Sequence, residues 1–196
     1  KRKDFMMTCE PGFVYMFKTP QIVSHIPEVI PLDTNFGFLL GVFLPEGLTT
    51  KTYISISNKD PVIRKRITDF CDQYGITYRT VESGPKNVRN GTSIDLKLHS
   101  VLLTRLLYKL CGTGSSEKRV PEIAYTAPKE FIIGLLDGYF SGDGCVQLDG
   151  NINVSSTSET MLTGISFLLS YFGVFGRLSN HQQKKNNVGS KNIKRM

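Results

Sequence analysis

Two short segments of the sequence carry the residue types with which a protein can hold a divalent cation. Residues 37–47 and 134–144 each have small or helix-distorting residues at every fourth position, and each ends on an acidic residue followed by glycine. The acidic residues are Glu46 and Asp143. On α-helices the small residues of each segment would share one face, on which two backbones can approach closely. Packing through these faces would bring both carboxylates to the same end of the helix pair.

Two carboxylates held side by side repel each other, and the negative ends of two helix dipoles add to this repulsion. A divalent cation relieves it. Mg²⁺ favours oxygen ligands, keeps several of its waters, and suits one or two carboxylates together with substrate phosphates. Such a centre can hydrolyse a phosphodiester. A single acid–glycine pair is more often an ordinary helix end, so the argument for catalysis depends on the presence of two copies.

The two segments belong to an internal duplication, with an offset of 97 residues between the motifs. Downstream the offset is 98, where residues 54–57 correspond to 152–155 and residues 74–76 correspond to 172–174. Chance would rarely preserve three segments in the same order with one net insertion. We therefore treat the chain as two related halves.

Hydrophobic periodicity and helix-end signals predict the elements of the first copy. Gly47 would end the first helix, and Asp60 would cap the second, with Pro61 in its first position. In chain order we predict a helix over 36–46, a strand over 49–57, a helix from Pro61 to about Gln73, strands over 76–82 and 92–98, and a helix over 99–111. The second copy, from near Pro128, repeats this order.

We expect four regions along the chain. They are an N-terminal extension at 1–35 that packs on the first copy, a first half at 36–112, a linker at 113–130 and a second half at 131–196. The second half would be incomplete, because counterparts of most of the last strand and of the last helix would fall after Met196. The sequence would then be a fragment, or a partner would supply the remainder.

The composition favours an intracellular protein with a polyanionic partner. The formal net charge is +7, and no acidic residue follows Glu159, so the basic tail could lie against phosphates. The four cysteines form no CxxC pair, which argues against a zinc site or a disulfide framework and fits a reducing compartment. No apolar run reaches the roughly 18 residues needed to span a bilayer, and no signal peptide is visible.

Residues 39–47 (LLGVFLPEG) and 136–144 (LDGYFSGDG) resemble the two motifs of LAGLIDADG homing endonucleases, particularly those found inside inteins. The resemblance covers residues 36–196. It implies an α+β fold of tandem αββαββα repeats related by a pseudo-twofold axis. The motif helices would form the interface, and two antiparallel β-sheet saddles would sit in the major groove of DNA.

The resemblance also implies the residues of a catalytic site. Glu46 and Asp143 would be the catalytic metal ligands, with Mg²⁺ as the cofactor and Pro45 and Gly142 as further metal contacts. Lys97, which alternation places opposite the core face of the last strand, would lie close to the scissile phosphate. An exposed strand lysine without a catalytic role is the alternative interpretation.

The sequence departs from the family pattern in two places. Pro45 stands where a small residue is usual, and it would kink the end of the first motif helix. The lysine of the second half would fall at the end of the sequence, where Lys194 and Arg195 are the candidates.

The outer faces of the two sheets would contact double-stranded DNA. Arginine can read guanine, and asparagine or glutamine can read adenine, whereas lysines mostly position a protein on phosphates. The two halves differ at these positions, so a single chain acting as a pseudo-dimer would bind an asymmetric target. The predicted contacts are Lys51, Tyr53, Ser55, Ser57, Arg79, Ser93, Asp95 and Lys97 in the first half, and Gln147, Asn151, Asn153, Ser155, Arg177, Lys194 and Arg195 in the second.

These inferences predict a site-specific, Mg²⁺-dependent endonuclease that cuts both strands of a long DNA target. The alternatives are an RNA maturase, a DNA-binding relative that no longer cuts, and a regulator on the same fold, although regulators usually add a separate DNA-binding module. Self-splicing is disfavoured because the sequence starts at Lys1 and contains no His-Asn dipeptide. The chain could still be the endonuclease insert of a larger intein.

Overall fold

The chain begins with a small antiparallel sheet that packs against the first half. The computed structural model describes residues 6–18, 21–83, 93–182 and 192–195. Strands β1 (Met6–Glu10), β2 (Phe13–Lys18) and β3 (Gln21–Pro27) pair in that order. The hydroxyls of Ser24 and Ser100 are hydrogen-bonded at 3.0 Å and tie this sheet to the last helix of the first half.

The first half is a four-stranded antiparallel sheet backed by three helices. The strand order is β4-β5-β7-β6. The elements are α1 (Thr34–Glu46), β4 (Gly47–Thr49), β5 (Ile54–Ser57), α2 (Pro61–Gln73), β6 (Tyr78–Ser83), β7 (Ser93–Leu98) and α3 (Val101–Cys111). Asp60 caps α2 by accepting from the Val62 N–H at 2.7 Å, as predicted. The predicted helices and the β6 and β7 strands are confirmed to within two residues.

The prediction of one strand over 49–57 is wrong, because the chain turns back between Thr50 and Tyr53. The Thr50 N–H donates to the Tyr53 carbonyl at 2.9 Å, and the Thr50 hydroxyl accepts from the Tyr53 N–H at 3.0 Å. These local bonds close a tight turn and separate β4 from β5. The predicted alternation survives in β5, where Ile54 and Ile56 are buried.

The second half follows the order of the first as far as its last described strand, with one additional short strand before its second helix. Its elements are α4 (Lys129–Asp143), β8 (Cys145–Val146), β9 (Ile152–Asn153), β10 (Ser155–Ser156), α5 (Glu159–Ser170), β11 (Ser179–Gln182) and β12 (Asn192–Arg195). β12 lies between β10 and β11, as β7 lies between β5 and β6. Four residues of the strand expected largely after Met196 are thus present, while β8 and β9 pair as a separate hairpin. This mixed α+β architecture confirms the predicted fold class.

The segment between the halves is more than an exposed connection. It contains a 3-10 helix at Glu122–Tyr125 and buries Val120. It also contacts the second half, because the Ser158 hydroxyl donates to the Lys118 carbonyl at 2.6 Å. The division at 35, 112 and 130 remains a prediction. Within the described residues, no helix is both long and apolar enough to cross a membrane.

Candidate active site

The motif helices α1 and α4 pack with their backbones in contact. A Cβ atom added to Gly41 would overlap the carbonyl oxygen of Leu135, and one added to Gly134 would overlap the carbonyl oxygen of Thr34. Gly37 and Gly138 are enclosed by the opposite helix in the same way. Only glycine permits this approach, so the predicted small-residue interface is confirmed.

The C-terminal ends of α1 and α4 also meet. A Cβ atom on Gly142 would lie 2.8 Å from Cγ of Pro45 and 3.3 Å from Cγ of Glu46. α1 continues through Pro45 to Glu46, so the proline does not end the helix early. Glu46 is half-buried, whereas Asp143 is exposed at the end of α4. The geometry therefore brings the two motif ends, with their acidic residues, to one place.

Both carboxylic acids are harder to ionise than usual. Burial raises the pKa of Glu46 to about 7; the charge of Asp143 acts in the same direction, and the Lys118 ammonium opposes both. Partial desolvation also raises the pKa of Asp143. Each side chain gains from a nearby cation, because added positive charge favours the ionised form.

A buried lysine, which sequence reasoning missed, lies behind the first acid. Lys118 is 3% exposed. Its Nζ donates to three backbone carbonyl oxygens at the end of α1, those of Phe43 (2.8 Å), Leu44 (2.9 Å) and Gly47. Burial lowers the pKa of Lys118 to about 8, and the charge of Glu46 opposes that shift. The ammonium thus gives a donor to carbonyls at the end of α1, and the Phe43 carbonyl accepts from the Gly47 N–H as well.

Lys97 lies on the outer face of the four-stranded sheet, as the alternation predicts. It is half-buried between the inward-facing Leu96 and Leu98. Its strand partners are Ser55 and Arg79. The Lys97 Nζ lies 5.3 Å from the centroid of the Tyr53 ring, within the range of a cation–π contact. One face of the first sheet thus gathers several predicted contact residues.

Comparison with known proteins finds a family model that matches part of the chain. Residues 130–195 match the model of a LAGLIDADG-like domain. The matched segment is about a third of the chain. It contains the α4 motif with Asp143, and the region before it carries the duplicated motif with Glu46.

The relatives of the chain include parts of much longer proteins. It is 40% identical over 155 residues to the RNA polymerase subunit Rpo1C of Methanocaldococcus jannaschii, covering 78% of this chain and 17% of that protein. It is 28% identical over 159 residues to the DNA polymerase of Thermococcus kodakarensis, covering 76% of this chain and 9% of the polymerase. The chain thus spans less than a fifth of either relative.

The fold also resembles that of the homing endonuclease I-DmoI, solved in complex with DNA and Mn. The two share 14% identity, with a TM-score of 0.55 over 84% of this chain and 88% of that one. This similarity establishes the LAGLIDADG fold for the described halves.

The remaining predicted contacts of the first half lie on the same sheet as Lys97 or in the turn that adjoins it. The Ser57 hydroxyl donates to the Asp95 carboxylate. Lys51 is exposed in the turn before β5, and Arg79 and Ser93 are exposed on β6 and β7. The structure therefore brings this predicted set onto the sheet and its adjoining turn.

The second half places its predicted contacts less uniformly. Asn151 lies in the turn of the β8–β9 hairpin, where the Gln147 N–H donates to its carbonyl at 2.8 Å. Asn153 and Ser155 are on strands, and Arg177 follows α5. The side chains of Lys194 and Arg195 lie outside the described residues.

The backbone register excludes both candidates for a second catalytic lysine. In β12, Arg195 pairs with Ser155, which corresponds to Ser57, the partner of Asp95 in the first half. Arg195 therefore corresponds to Asp95 of the first half, and Lys194 corresponds to Ile94. Neither occupies the position of Lys97, so this prediction is wrong. The correspondence is shifted by two residues, because the segment before β12 is two residues longer than its first-half counterpart.

The donor set fits a cation that keeps part of its water shell. No group of three or more His, Cys, Asp or Glu residues arranged to hold a metal ion occurs in the described part of the chain. Two carboxylates, with water and phosphate oxygens completing the coordination, are what Mg²⁺ sites in phosphate chemistry commonly use. Glu46 and Asp143 provide that pair, with the carbonyls of Pro45 and Gly142 next to them along the chain.

Proposed function

We propose that the chain is a metal-dependent DNA endonuclease that makes double-strand cuts at a long asymmetric target. The observation that carries the proposal is the meeting of Glu46 and Asp143 at the ends of two helices in backbone contact. An ordinary helix end has no reason to hold a half-buried acid beside a second acid. A Mg²⁺-dependent phosphodiester hydrolase commonly holds its cation with one or two carboxylates and the substrate phosphate.

In this proposal Glu46 and Asp143 hold the cation, and the carbonyls of Pro45 and Gly142 are available beside them. When bound, Mg²⁺ polarises the phosphate and makes a water more acidic. Near neutral pH Glu46 retains part of its proton, since its pKa is about 7. Binding of a cation therefore requires that proton to leave. Lys118 keeps its ammonium on the α1 carbonyls and helps Glu46 to ionise.

Lys97 is proposed to place a positive charge near the phosphate that is cut. The contact with Tyr53 restricts its ammonium on the outer face of the sheet, between Ser55 and Arg79. A lysine there can stabilise negative charge that develops on the phosphate oxygens. It can also hold a proton for the leaving oxygen.

The outer sheet faces are proposed to bind the DNA target. The net charge of +7 favours a polyanion. Arg79 and Arg177 can read guanine, and Asn151 and Asn153 can read adenine. The two faces carry different residues at equivalent positions, so a single chain would recognise two different half-sites as a pseudo-dimer.

We further propose that the endonuclease functions as an inserted segment, such as the nuclease part of an intein. About three quarters of this chain matches less than a fifth of an RNA polymerase subunit and of a DNA polymerase. Two enzymes with such different activities share the segment, and this is what a transferable insert would produce.

The test is cleavage of a randomised duplex library in Mg²⁺, followed by sequencing of the cut ends. Glu46→Gln removes one proposed ligand, and Glu130→Gln, at an exposed acid in the first turn of α4, is the matched control. We expect double-strand breaks that EDTA and Glu46→Gln abolish and that Glu130→Gln leaves unchanged. Binding without cleavage, or a preference for folded intron RNA, would contradict the proposal and favour a maturase or an inactive DNA-binding protein.

A further inference from the structure

The second half is joined to the end of α1 through two buried residues. Lys118, in the segment between the halves, and Ser158, the N-cap residue of α5, are 3% and 1% exposed. The Ser158 hydroxyl donates to the Lys118 carbonyl at 2.6 Å. The Lys118 Nζ in turn donates to backbone carbonyls on both sides of Glu46. A continuous set of buried hydrogen bonds therefore runs from the second half to the backbone around the first acid.

The end of α1 has a particular need for support from outside the helix. Pro45 has no N–H, so the last turn of α1 lacks one helical hydrogen bond, whereas Gly142, its counterpart in α4, has an N–H. The Lys118 Nζ donates to the Leu44 carbonyl at 2.9 Å and lies 4.8 Å from the centroid of the Phe43 ring. The lysine therefore holds the turn of α1 that ends in the first acid through both its backbone and a side chain.

The Ser158 hydroxyl makes two hydrogen bonds with separate roles. It accepts from the Met161 N–H at 3.2 Å, which caps α5, and it donates its one proton to the Lys118 carbonyl. The Ser158 N–H donates to the Ser156 hydroxyl at 3.0 Å, which fixes the cap residue against β10. A helix cap needs only an acceptor, so α5 does not require the donated hydrogen bond. That bond serves the contact with Lys118.

We propose that Ser158 is a positioning residue for Glu46 and acts through Lys118. By holding the backbone of Lys118, it places the ammonium on the α1 carbonyls and so fixes where the Glu46 carboxylate meets a cation. The consequence for metal binding rests on the proposed function, but the link between Ser158 and the end of α1 does not require a metal. The first acid is thus held in place by the half of the chain that carries Asp143.

Three substitutions of Ser158 separate the two roles of its hydroxyl. Ser158→Ala removes both the cap and the donated hydrogen bond. Ser158→Asp keeps an acceptor for the cap but, as a carboxylate, has no proton to donate, and Ser158→Thr keeps both functions. Ser170→Ala is the matched control, because its hydroxyl donates to the Phe167 carbonyl at 2.7 Å at the far end of α5.

Amide hydrogen exchange of the full chain without metal tests the link itself. The reporter is the Gly47 N–H, which donates to the Phe43 carbonyl at the end of α1. The reference is the amide of Ile67, a buried residue of α2. We expect Ser158→Ala and Ser158→Asp to speed exchange at Gly47 relative to Ile67 by at least about fivefold. Ser158→Thr and Ser170→Ala should keep the wild-type ratio.

Calorimetric titration with Mn²⁺ tests the consequence for the site. Ser158→Asp should weaken Mn²⁺ binding about tenfold, the lower end of what the loss of an outer partner of a metal ligand costs, and Ser158→Thr should keep the wild-type affinity. Either a wild-type exchange ratio or a wild-type Mn²⁺ affinity in Ser158→Asp would overturn the proposal, because a residue that only caps α5 gives that result. An absence of Mn²⁺ binding by the wild type would overturn the proposed function instead, and the exchange at Gly47 would then decide whether Ser158 positions the end of α1.

Discussion

The two motif helices end in the same way but in different surroundings. Gly47 and Gly144 follow the two acids, and each donates its N–H to the carbonyl four residues before it. The end of α1 is half-buried and backed by the Lys118 ammonium. The end of α4 is exposed, and in the described residues no buried lysine lies behind it.

The contrast separates what the duplicated motif determines from what the rest of the chain determines. Glycine spacing fixes where the two acids lie, because it lets the helix backbones touch. The segment between the halves, which is not duplicated within the chain, adds Lys118 to one side only. The acids thus share a position but differ in their electrostatics. We expect both to be required, with different sensitivities to pH and to changes nearby.

The largest expected effect is the loss of cleavage when either acid becomes its amide. Glu46→Gln and Asp143→Asn should each lower the cleavage rate on the identified target about a thousandfold, since each removes a charged ligand worth several kcal/mol to the transition state. Single-turnover assays at saturating protein provide the measurement. A rate within about tenfold of wild type for Asp143→Asn would show that the exposed end is not part of the site.

Alanine substitutions at two glycines of the helix interface should cost different amounts of unfolding free energy. Gly41→Ala places a methyl group on the Leu135 backbone and should cost about 2–3 kcal/mol of unfolding free energy. Gly142→Ala meets the Pro45 and Glu46 side chains rather than backbone, and the higher helix preference of alanine offsets part of that contact, so its cost should be smaller. Urea denaturation without metal compares the two. Equal losses would argue that the backbones are not in contact at Gly41.

Removal of the lysine behind Glu46 should make the two helix ends more alike. Lys118→Met removes a donor from three backbone carbonyls, of which that of Phe43 keeps the Gly47 N–H, and should lower stability by about 2 kcal/mol. It should also move the pKa of Glu46 above about 7, because the opposing charge is lost. Lys129→Met, at an exposed position on α4, is the control. Cleavage-rate profiles against pH measure the shift, and an unchanged profile would contradict the electrostatic role.

The smallest expected effect is a pH dependence of stability that Glu46 contributes. Its pKa is 4.5 in the unfolded reference and about 7 in the fold, so the folded chain binds the extra proton between these values. Without metal, stability should therefore fall as pH rises from about 4.5 to 7. After discounting for solvent, the change is about 1–2 kcal/mol, or a few degrees in Tm. Thermal melts of Glu46→Gln should lack this component.

The sequence was sufficient where local signals set the structure. Asp60 and Pro61 start α2 because an acidic cap and a proline suit the first turn, and the glycines of α1 and α4 predict their contact. Lys118 could not be found in this way. Its ammonium contacts carbonyls more than 70 residues away, and the Gly- and Ser-rich stretch before it is typical of a linker.

The strand register of the second half was the other feature that the sequence alone could not predict. The outward direction of Lys97 follows from alternation alone. Its counterpart in the second half depends on which residue of β12 faces Ser155, and two extra residues before that strand shift the pairing. Only strand pairing reveals such a shift.

Direct cation binding tests the central claim, that Glu46 and Asp143 hold one divalent metal ion between them. Mn²⁺ is titrated calorimetrically into the wild type, Glu46→Gln, Asp143→Asn and Glu130→Gln near pH 7, in two buffers of different ionisation enthalpy. We expect binding with proton release in the wild type, at least tenfold weaker binding in each site variant, and no change in Glu130→Gln. Wild-type affinity in either site variant would contradict the claim.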